Sequence, residues 1–197
     1  MTGPAAPSRT ARKPAALRRG EIIDAATVEF AETGLTGTGL ESIAMRAGIS
    51  HPRVVQMFGS KRALFLAVIE ANFDRLEAVF AAAAATSGRS ELTALGDAYR
   101  RLLQGDRSVA LLMLQGYAAA ADDVVREVVS RRHLALQRTV VKLTGADPLQ
   151  VRTFFATGLV VTVSTALALP GRRTDTTWGG WLLGLVDPAA LPSGTMS

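Results

Sequence analysis

Few residues in this chain have the type and spacing that catalysis or metal binding requires. There are no cysteines, which excludes disulfides, thiolate zinc sites and cysteine nucleophiles. The two histidines, His51 and His133, lie far apart with no HxxxH motif or His/Asp cluster beside either, so we expect no metal site. There is no nucleophile elbow and no isolated pair of carboxylates in an apolar context. The sequence therefore predicts no catalytic residues, no cofactor and no enzyme activity.

Polar side chains suited to a different chemistry are concentrated in residues 50–61. Arg53 and Gln56 are of the types that form paired hydrogen bonds with guanine and adenine edges in the DNA major groove. Residues 1–62 also hold nine Lys and Arg against five Asp and Glu, whereas the remainder is nearly neutral, so a polyanion would bind the N-terminal end. We favour base contacts over ordinary solvated positions for these two residues, and leave both readings open for His51.

The elements that must position these side chains are helices, because no sustained alternation suggests a strand and alanine and leucine dominate. A first helix is predicted over residues 18–33, where Ile22, Ala26 and Phe30 recur at helical spacing. Gly34 follows and can supply a left-handed C-terminal stop.

Two short helices at a tight turn are predicted next. Thr38 and Glu41 have the spacing of a capping box, which would begin a second helix that stops at Gly48. Ser50 is placed to cap a third helix, in which Pro52 is tolerated because first-turn amides have no acceptor inside the helix. Two short helices joined by a glycine-containing turn form a helix-turn-helix.

The motifs in these three helices resemble the DNA-binding domain of the TetR (tetracycline-repressor-like) family. The resemblance covers about residues 18–68 and rests on AAxxEFAExG in the first helix, AGIS at the turn and FGSK before the fourth helix. It implies a symmetric dimer whose two third helices enter successive major grooves of a near-palindromic operator. One departure is Val55, where the family usually has a tyrosine that contacts phosphate. The positions that match the family's DNA contacts are Ser50, His51, Arg53, Gln56 and Met57 on the third helix, Thr38 and Gly39 before the second, and Lys61 at a phosphate.

The rest of the chain also reads as helices separated by stop and start signals, which makes the fold all-α: an N-terminal three-helix unit and a C-terminal helical domain. We expect the division 1–16 (disordered basic arm), 17–68 (helix-turn-helix domain), 69–188 (ligand-binding and dimerisation domain) and 189–197 (tail). The further helices are predicted at residues 60–85, 91–104, 107–119, 122–143, 148–169 and 177–186.

Apolar and aromatic residues of the second domain are candidates for lining a ligand cavity, and a filled core explains the same composition equally well. The candidates are Tyr99, Met113, Leu114, Gln115, Tyr117, Phe154 and Phe155.

The uncharged segment at residues 153–171 is close to the minimum length of a membrane span. Its threonines, serine and glycine dilute its hydrophobicity, so we expect a helix buried in an oligomer and no membrane partner. The dimer is predicted to use this helix and a following one, with contacts at Gly158, Leu159, Trp178 and Trp181.

Together the resemblance and the size of the second domain predict a cytoplasmic, nucleoid-associated transcription regulator, expected to be a repressor. As a homodimer it would bind a double-stranded DNA operator and leave it when a small, mainly apolar effector of unknown identity binds. One alternative is a DNA-binding dimer without an effector. Another is a small helical enzyme, for which the catalytic constellation is missing.

Overall fold

The structure is a computed structural model that describes residues 14–86 and 92–169, in which all regular secondary structure is helical. The predicted all-α fold, with an N-terminal helix-turn-helix and a helical second domain, is confirmed. The predicted helix at residues 177–186, most of the basic arm and the tail lie outside the described residues. The helices are α1 (Ala15–Gly37), α2 (Leu40–Arg46), α3 (His51–Phe58), α4 (Lys61–Thr86), α5 (Leu92–Gly105), α6 (Arg107–Ala118), α7 (Asp123–Thr144) and α8 (Pro148–Ala166), with a 3-10 turn at Ala119–Ala121.

Helix α1 is longer than predicted at both ends. It begins at Ala15, and it breaks at Gly34, where φ is 69° and ψ is −177°, before continuing to Gly37. This combination of positive φ and extended ψ is accessible to glycine almost alone. The predicted stop is therefore a kink with a further turn after it.

The start of α2 differs from the predicted capping box. Gly39 is the N-cap residue and makes no side-chain cap. The Thr38 hydroxyl is instead buried and donates a hydrogen bond of 2.6 Å to the Gly34 carbonyl oxygen. The Thr38–Glu41 box is wrong because α1 offers the hydroxyl a closer partner than the amides of α2. Ser50 does occupy the N-cap position of α3, but its hydroxyl makes no capping hydrogen bond.

Aspartates cap three helices of the second domain close to the positions at which the sequence predicts these helices to begin. The carboxylates of Asp106, Asp122 and Asp147 accept hydrogen bonds from the first-turn amides of α6, α7 and α8. Each cap satisfies amides that have no acceptor within the helix.

The helix-turn-helix unit is closed by apolar side chains that have no solvent exposure, among them Ile22, Phe30, Ile43, Val54 and Phe65. The Phe30 and Phe65 rings meet edge to face with their centroids 5.0 Å apart. Because Phe65 belongs to α4, this contact fixes the start of the long helix against the N-terminal unit.

Helix α8 has two different faces. Its inner face packs against α5 and α6, and Val151, Phe154 and Thr162 are buried there. The opposite face carries an exposed apolar stripe, which consists of Leu149, Val160, Val163 and Leu167. Among the described helices, α8 is long and apolar enough to match a membrane span by length and composition, with one third of its apolar window buried.

Candidate DNA-binding surface and ligand cavity

Helix α3 presents a polar face to solvent because its apolar residue Val54 is anchored in the core. One residue before and two residues after it, Arg53 and Gln56 lie on the outer side, and Arg53 Nη1 donates a hydrogen bond of 2.7 Å to Gln56 Oε1. A guanidinium and an amide are thus held side by side on an exposed helix. Both groups have the hydrogen-bonding pattern that base edges of the major groove require.

The other residues predicted to contact DNA surround this pair unevenly. Gly39 and Ser50 are exposed, and His51 Nδ1 lies 3.3 Å from Glu41 Oε1. Met57 is half-buried and packs against the core, so it is less available than predicted. Thr38 is only 3% exposed, and its hydroxyl and backbone N–H both donate to the Gly34 carbonyl oxygen, so in this conformation its side chain does not face DNA.

Lys61 connects the first turn of α4 to the segment before α2. Its Nζ atom donates hydrogen bonds to the carbonyl oxygens of Thr36 and Thr38, at 3.2 and 2.9 Å. Next to it, Arg62 Nη1 lies 3.0 Å from Asp122 Oδ2 at the start of α7. Two adjacent cations therefore hold the start of α4, one to the helix-turn-helix unit and the other to the second bundle.

An unpredicted cation also borders the helix-turn-helix. The Arg19 guanidinium lies over the Phe58 ring, 4.3 Å from its centroid, and so ties the first turns of α1 to the end of α3. The basic pair Arg18-Arg19 in the sequence is the signal that could have drawn attention to it.

The second bundle contains a cavity of about 1010 Å³ bounded by side chains of α4 to α8. Five of the seven residues predicted for a cavity line it: Tyr99, Met113, Tyr117, Phe154 and Phe155. Those missed include Leu76 and Phe80 on α4, His133 on α7, and three cations at one end, Arg138, Lys142 and Arg152.

Leu114 and Gln115 do not line the cavity, contrary to the prediction. Met113 and Tyr117 are four residues apart and share the cavity side of α6, whereas the next positions turn away at about 100° per residue. Leu114 packs into the core, and the Gln115 amide lies against Gly34 of α1. The composition of α6 did not reveal this division, because apolar residues occur on several of its sides.

The polar groups inside the cavity are paired with one another. Tyr99 Oη and Thr162 Oγ1 are 2.6 Å apart, and Tyr117 Oη and His133 Nδ1 are 3.1 Å apart. Burial raises the pKa of both tyrosines to about 12, and burial lowers the pKa of His133 below 6.5. All three side chains are therefore mainly uncharged at neutral pH, and the inner part of the cavity carries no charge.

Two residues predicted for the dimer interface also line the cavity. A Cβ atom added to Gly158 would be 3.8 Å from Tyr99 Cε1, so this glycine lies on the inner face of α8. Leu159 lines the cavity rim and is 48% exposed, beside the apolar stripe of α8 rather than at its centre. Trp178 and Trp181 lie outside the described residues.

Known proteins share this arrangement of a helix-turn-helix unit and a helical second bundle, as expected of DNA-binding regulators. Residues 22–68 match the family model of the bacterial regulatory proteins, tetR family. A TetR-like transcriptional regulator from Rhodococcus sp. RHA1 has a similar structure, with a TM-score of 0.66, 24% identity, and coverage of 88% of this chain and 98% of that chain. FadR from Bacillus subtilis, in complex with stearoyl-CoA, gives a TM-score of 0.67 at 17% identity over 84% of this chain and 93% of that one.

A curated relative extends the sequence match beyond the helix-turn-helix. The HTH-type transcriptional activator FasR of Mycolicibacterium smegmatis is 31% identical over 119 residues, which is 59% of this chain and 54% of FasR. The match thus spans about half the length of that relative. The helix-turn-helix unit is therefore similar to the DNA-binding domain of the tetR family, and the chain as a whole has the fold of TetR-like transcriptional regulators.

Proposed function

We propose that the protein is a homodimeric repressor that binds a palindromic operator through α3 and leaves it when a small, mainly apolar molecule fills the cavity. The observation that carries this proposal is the course of α4. Its residues Leu64 and Phe65 pack in the helix-turn-helix core, and Leu76 and Phe80 of the same helix line the cavity. A displacement of α4 by a ligand would therefore reposition α3.

In this proposal the chain divides near residue 68, within α4. Arg53 and Gln56 contact base edges, Lys61 contacts a phosphate, and the protein acts in the cytoplasm at the nucleoid, where its DNA is. The exposed apolar stripe of α8 pairs with the same stripe of a second copy, since a two-fold interface brings identical surfaces together. The second copy of the chain, and not a membrane, then covers the exposed stripe of α8.

Two findings support an apolar effector. The cavity wall is largely aliphatic and aromatic, as is usual for small-molecule sites. The structural neighbour FadR was determined in complex with stearoyl-CoA, so a protein of this fold accommodates a ligand with a long apolar chain. We assign repression because a dimer covering promoter DNA excludes polymerase. FasR is named an activator, and a promoter fusion in cells with and without this protein distinguishes the two outcomes.

DNA recognition is tested by selecting duplexes that the protein retains from a random library. We expect an inverted repeat, and we expect Arg53→Ala to lower affinity for it by about 1–3 kcal/mol relative to scrambled DNA. Arg101→Ala removes an equally charged, exposed side chain from α5 and serves as the matched control. An equal loss on selected and scrambled DNA would make Arg53 a phosphate contact.

Effector control is tested by finding apolar binders by thermal shift and measuring operator affinity at saturation with each. We expect at least one to weaken operator binding by roughly fivefold to 150-fold, with DNA weakening its binding by the same factor. Leu134→Trp, which narrows the cavity, should abolish this effect, whereas Ser130→Trp, one turn earlier on α7 and outside the lining, should preserve it. If every tight binder leaves operator affinity unchanged, the protein is a DNA-binding dimer without an effector.

A further inference from the structure

We propose that the cavity selects a molecule with an apolar chain and an anionic end group, a carboxylate or a phosphate, and that it holds the anion where α7 meets α8. The inference rests on the proposed function in taking the cavity as the effector site, and it adds the chemical class of the effector.

Three cations lie at one end of the cavity lining. Arg138 and Lys142 are four residues apart on the last turns of α7, and Arg152 follows the short turn into α8. The α7–α8 turn at residues 145–147 brings these two helix ends together, and Ala146 of the turn also lines the cavity. No acidic residue is among the lining residues, so this end of the cavity is a site of net positive charge.

The cations on the earlier turns of α7 are neutralised. Arg131 lies 2.6 Å from Glu70, and Arg132 lies 2.6 Å from Asp74 and 3.2 Å from Glu70, so α4 provides a carboxylate for each. By contrast, none of the three cations at the cavity forms an ion pair with any residue in the described ranges 14–86 and 92–169. The same helix thus has its cations paired where it packs and unpaired where it borders empty space.

The inner, buried part of the cavity suits an apolar chain. Leu76, Phe80, Met113 and Phe154 are buried there, and the tyrosine, threonine and histidine groups satisfy one another. A ligand atom in this part therefore needs no hydrogen-bonding group of its own. The volume of about 1010 Å³ is at the upper end of that of small-molecule sites, which leaves room for a long chain. One apolar end and one cationic end define an amphipathic anion.

The test is calorimetric titration of the full chain with four probes of equal chain length, below the concentrations at which they form micelles. The probes are dodecanoate, dodecyl phosphate, dodecanol and dodecyltrimethylammonium. We expect the anions to bind about tenfold more tightly than dodecanol and the cation to bind most weakly, because each exposed ion pair contributes up to roughly fivefold. The ratio between dodecanoate and dodecyl phosphate tells whether the site prefers a carboxylate or a phosphate.

Salt and chain length provide independent readouts on the same titration. Added NaCl should reduce the advantage of the anions over dodecanol, because the cations are exposed and screened. Shortening dodecanoate to decanoate should weaken binding about 15-fold, since each buried methylene contributes roughly fourfold.

A double variant locates the anion. Arg138→Gln with Arg152→Gln should weaken dodecanoate binding about tenfold and leave dodecanol binding unchanged, which also shows that the cavity is intact. The matched control, Arg101→Gln with Arg126→Gln, removes the same charge from exposed positions outside the lining and should leave both affinities unchanged. The inference is overturned if dodecanol binds as tightly as the anions, if both double variants act alike, or if no probe binds.

These outcomes are separable from those of the proposed function. If dodecanoate binds as expected but operator affinity does not change, the anion site stands and effector control fails. If a neutral molecule alone fills the cavity and releases DNA, effector control stands and the anion site fails.

Discussion

The helix-turn-helix unit and the second bundle differ in how completely their side chains fill the interior. In the helix-turn-helix unit the largest apolar side chains, including Ile22, Phe30 and Phe65, are completely buried against one another. The second bundle contains a cavity of about 1010 Å³, partly open to solvent, that its own side chains do not fill. A filled core fixes the direction of α3, whereas a hollow one gives up packing energy and retains the freedom to change when a ligand enters.

The two bundles meet where α1 packs against α6, at the kink of α1. The backbone of Gly34 is so close to the Gln115 amide that an added Cβ atom would overlap with Oε1. A residue on α6 two positions from the cavity-lining Met113 therefore touches the end of the first helix of the DNA-binding unit. The contrast between solid and hollow bundles can be tested at several sites.

The largest expected effect is on dimerisation, which we assign to the second bundle. Val160→Arg should yield monomers, because two uncompensated charges would be buried at the two-fold axis at a cost of about 3–5 kcal/mol each. Light scattering measures the mass, and circular dichroism verifies the helix content. Ser130→Arg, on the exposed side of α7, is the control and should remain dimeric. A Val160→Arg protein that is still dimeric would place the interface away from the stripe of α8.

The packing contrast itself is tested by the same substitution in each bundle. Phe30→Ala should lower the free energy of unfolding by about 3–5 kcal/mol, because it creates a cavity in a filled core. Phe155→Ala removes a half-buried ring that already borders empty space, so we expect a loss of about 1–2 kcal/mol. Urea unfolding of both variants gives the comparison. Equal losses would mean that the second bundle closes around Phe155 in solution.

Lys61→Ala tests the connection between α4 and the helix-turn-helix, with a smaller expected effect. Loss of a phosphate contact should weaken binding to all sequences alike and reduce the slope of log affinity against log salt by about one unit. Because Lys61 also donates to the Thr36 and Thr38 carbonyls, a loss of unfolding free energy of about 1 kcal/mol should accompany it. An unchanged salt slope together with lower stability would make the lysine purely structural.

The smallest effect is the pH dependence that His133 adds to the second bundle. Burial lowers its pKa in the folded state below 6.5, so the unfolded chain binds the proton more readily. Stability should therefore decrease as the pH falls below 6.5, and His133→Gln should reduce that decrease. Glu29 and Asp106, whose pKa values are lowered from 4.5 and 3.8, act only at more acidic pH. Urea unfolding at pH 7.5 and 5.5 makes the comparison, and a variant with an unchanged difference would contradict the assignment.

Local spacing in the sequence was sufficient for the fold class and for the helix-turn-helix. The signals used were the apolar stripe of α1, the glycines at the turns and the aspartates before α6, α7 and α8. Each of them influences the backbone within one or two helical turns, and the helices begin close to these residues. The same reasoning gave the wrong partner for the Thr38 hydroxyl. Both an amide of α2 and a carbonyl of α1 are near it in the sequence, and the packing of the two helices brings the α1 carbonyl closer.

Tertiary structure alone decided which apolar residues face empty space. Met113 and Gln115 belong to one helix, yet the first lines the cavity and the second touches α1, and Gly158 on α8 faces Tyr99. A cavity and a filled core have the same composition, so the difference depends on how neighbouring helices are spaced. Arg138 of α7 and Arg152 of α8 lie on either side of a turn and line the same cavity. The periodicity within either helix could not have indicated this, because the two side chains share one site only when α7 packs against α8.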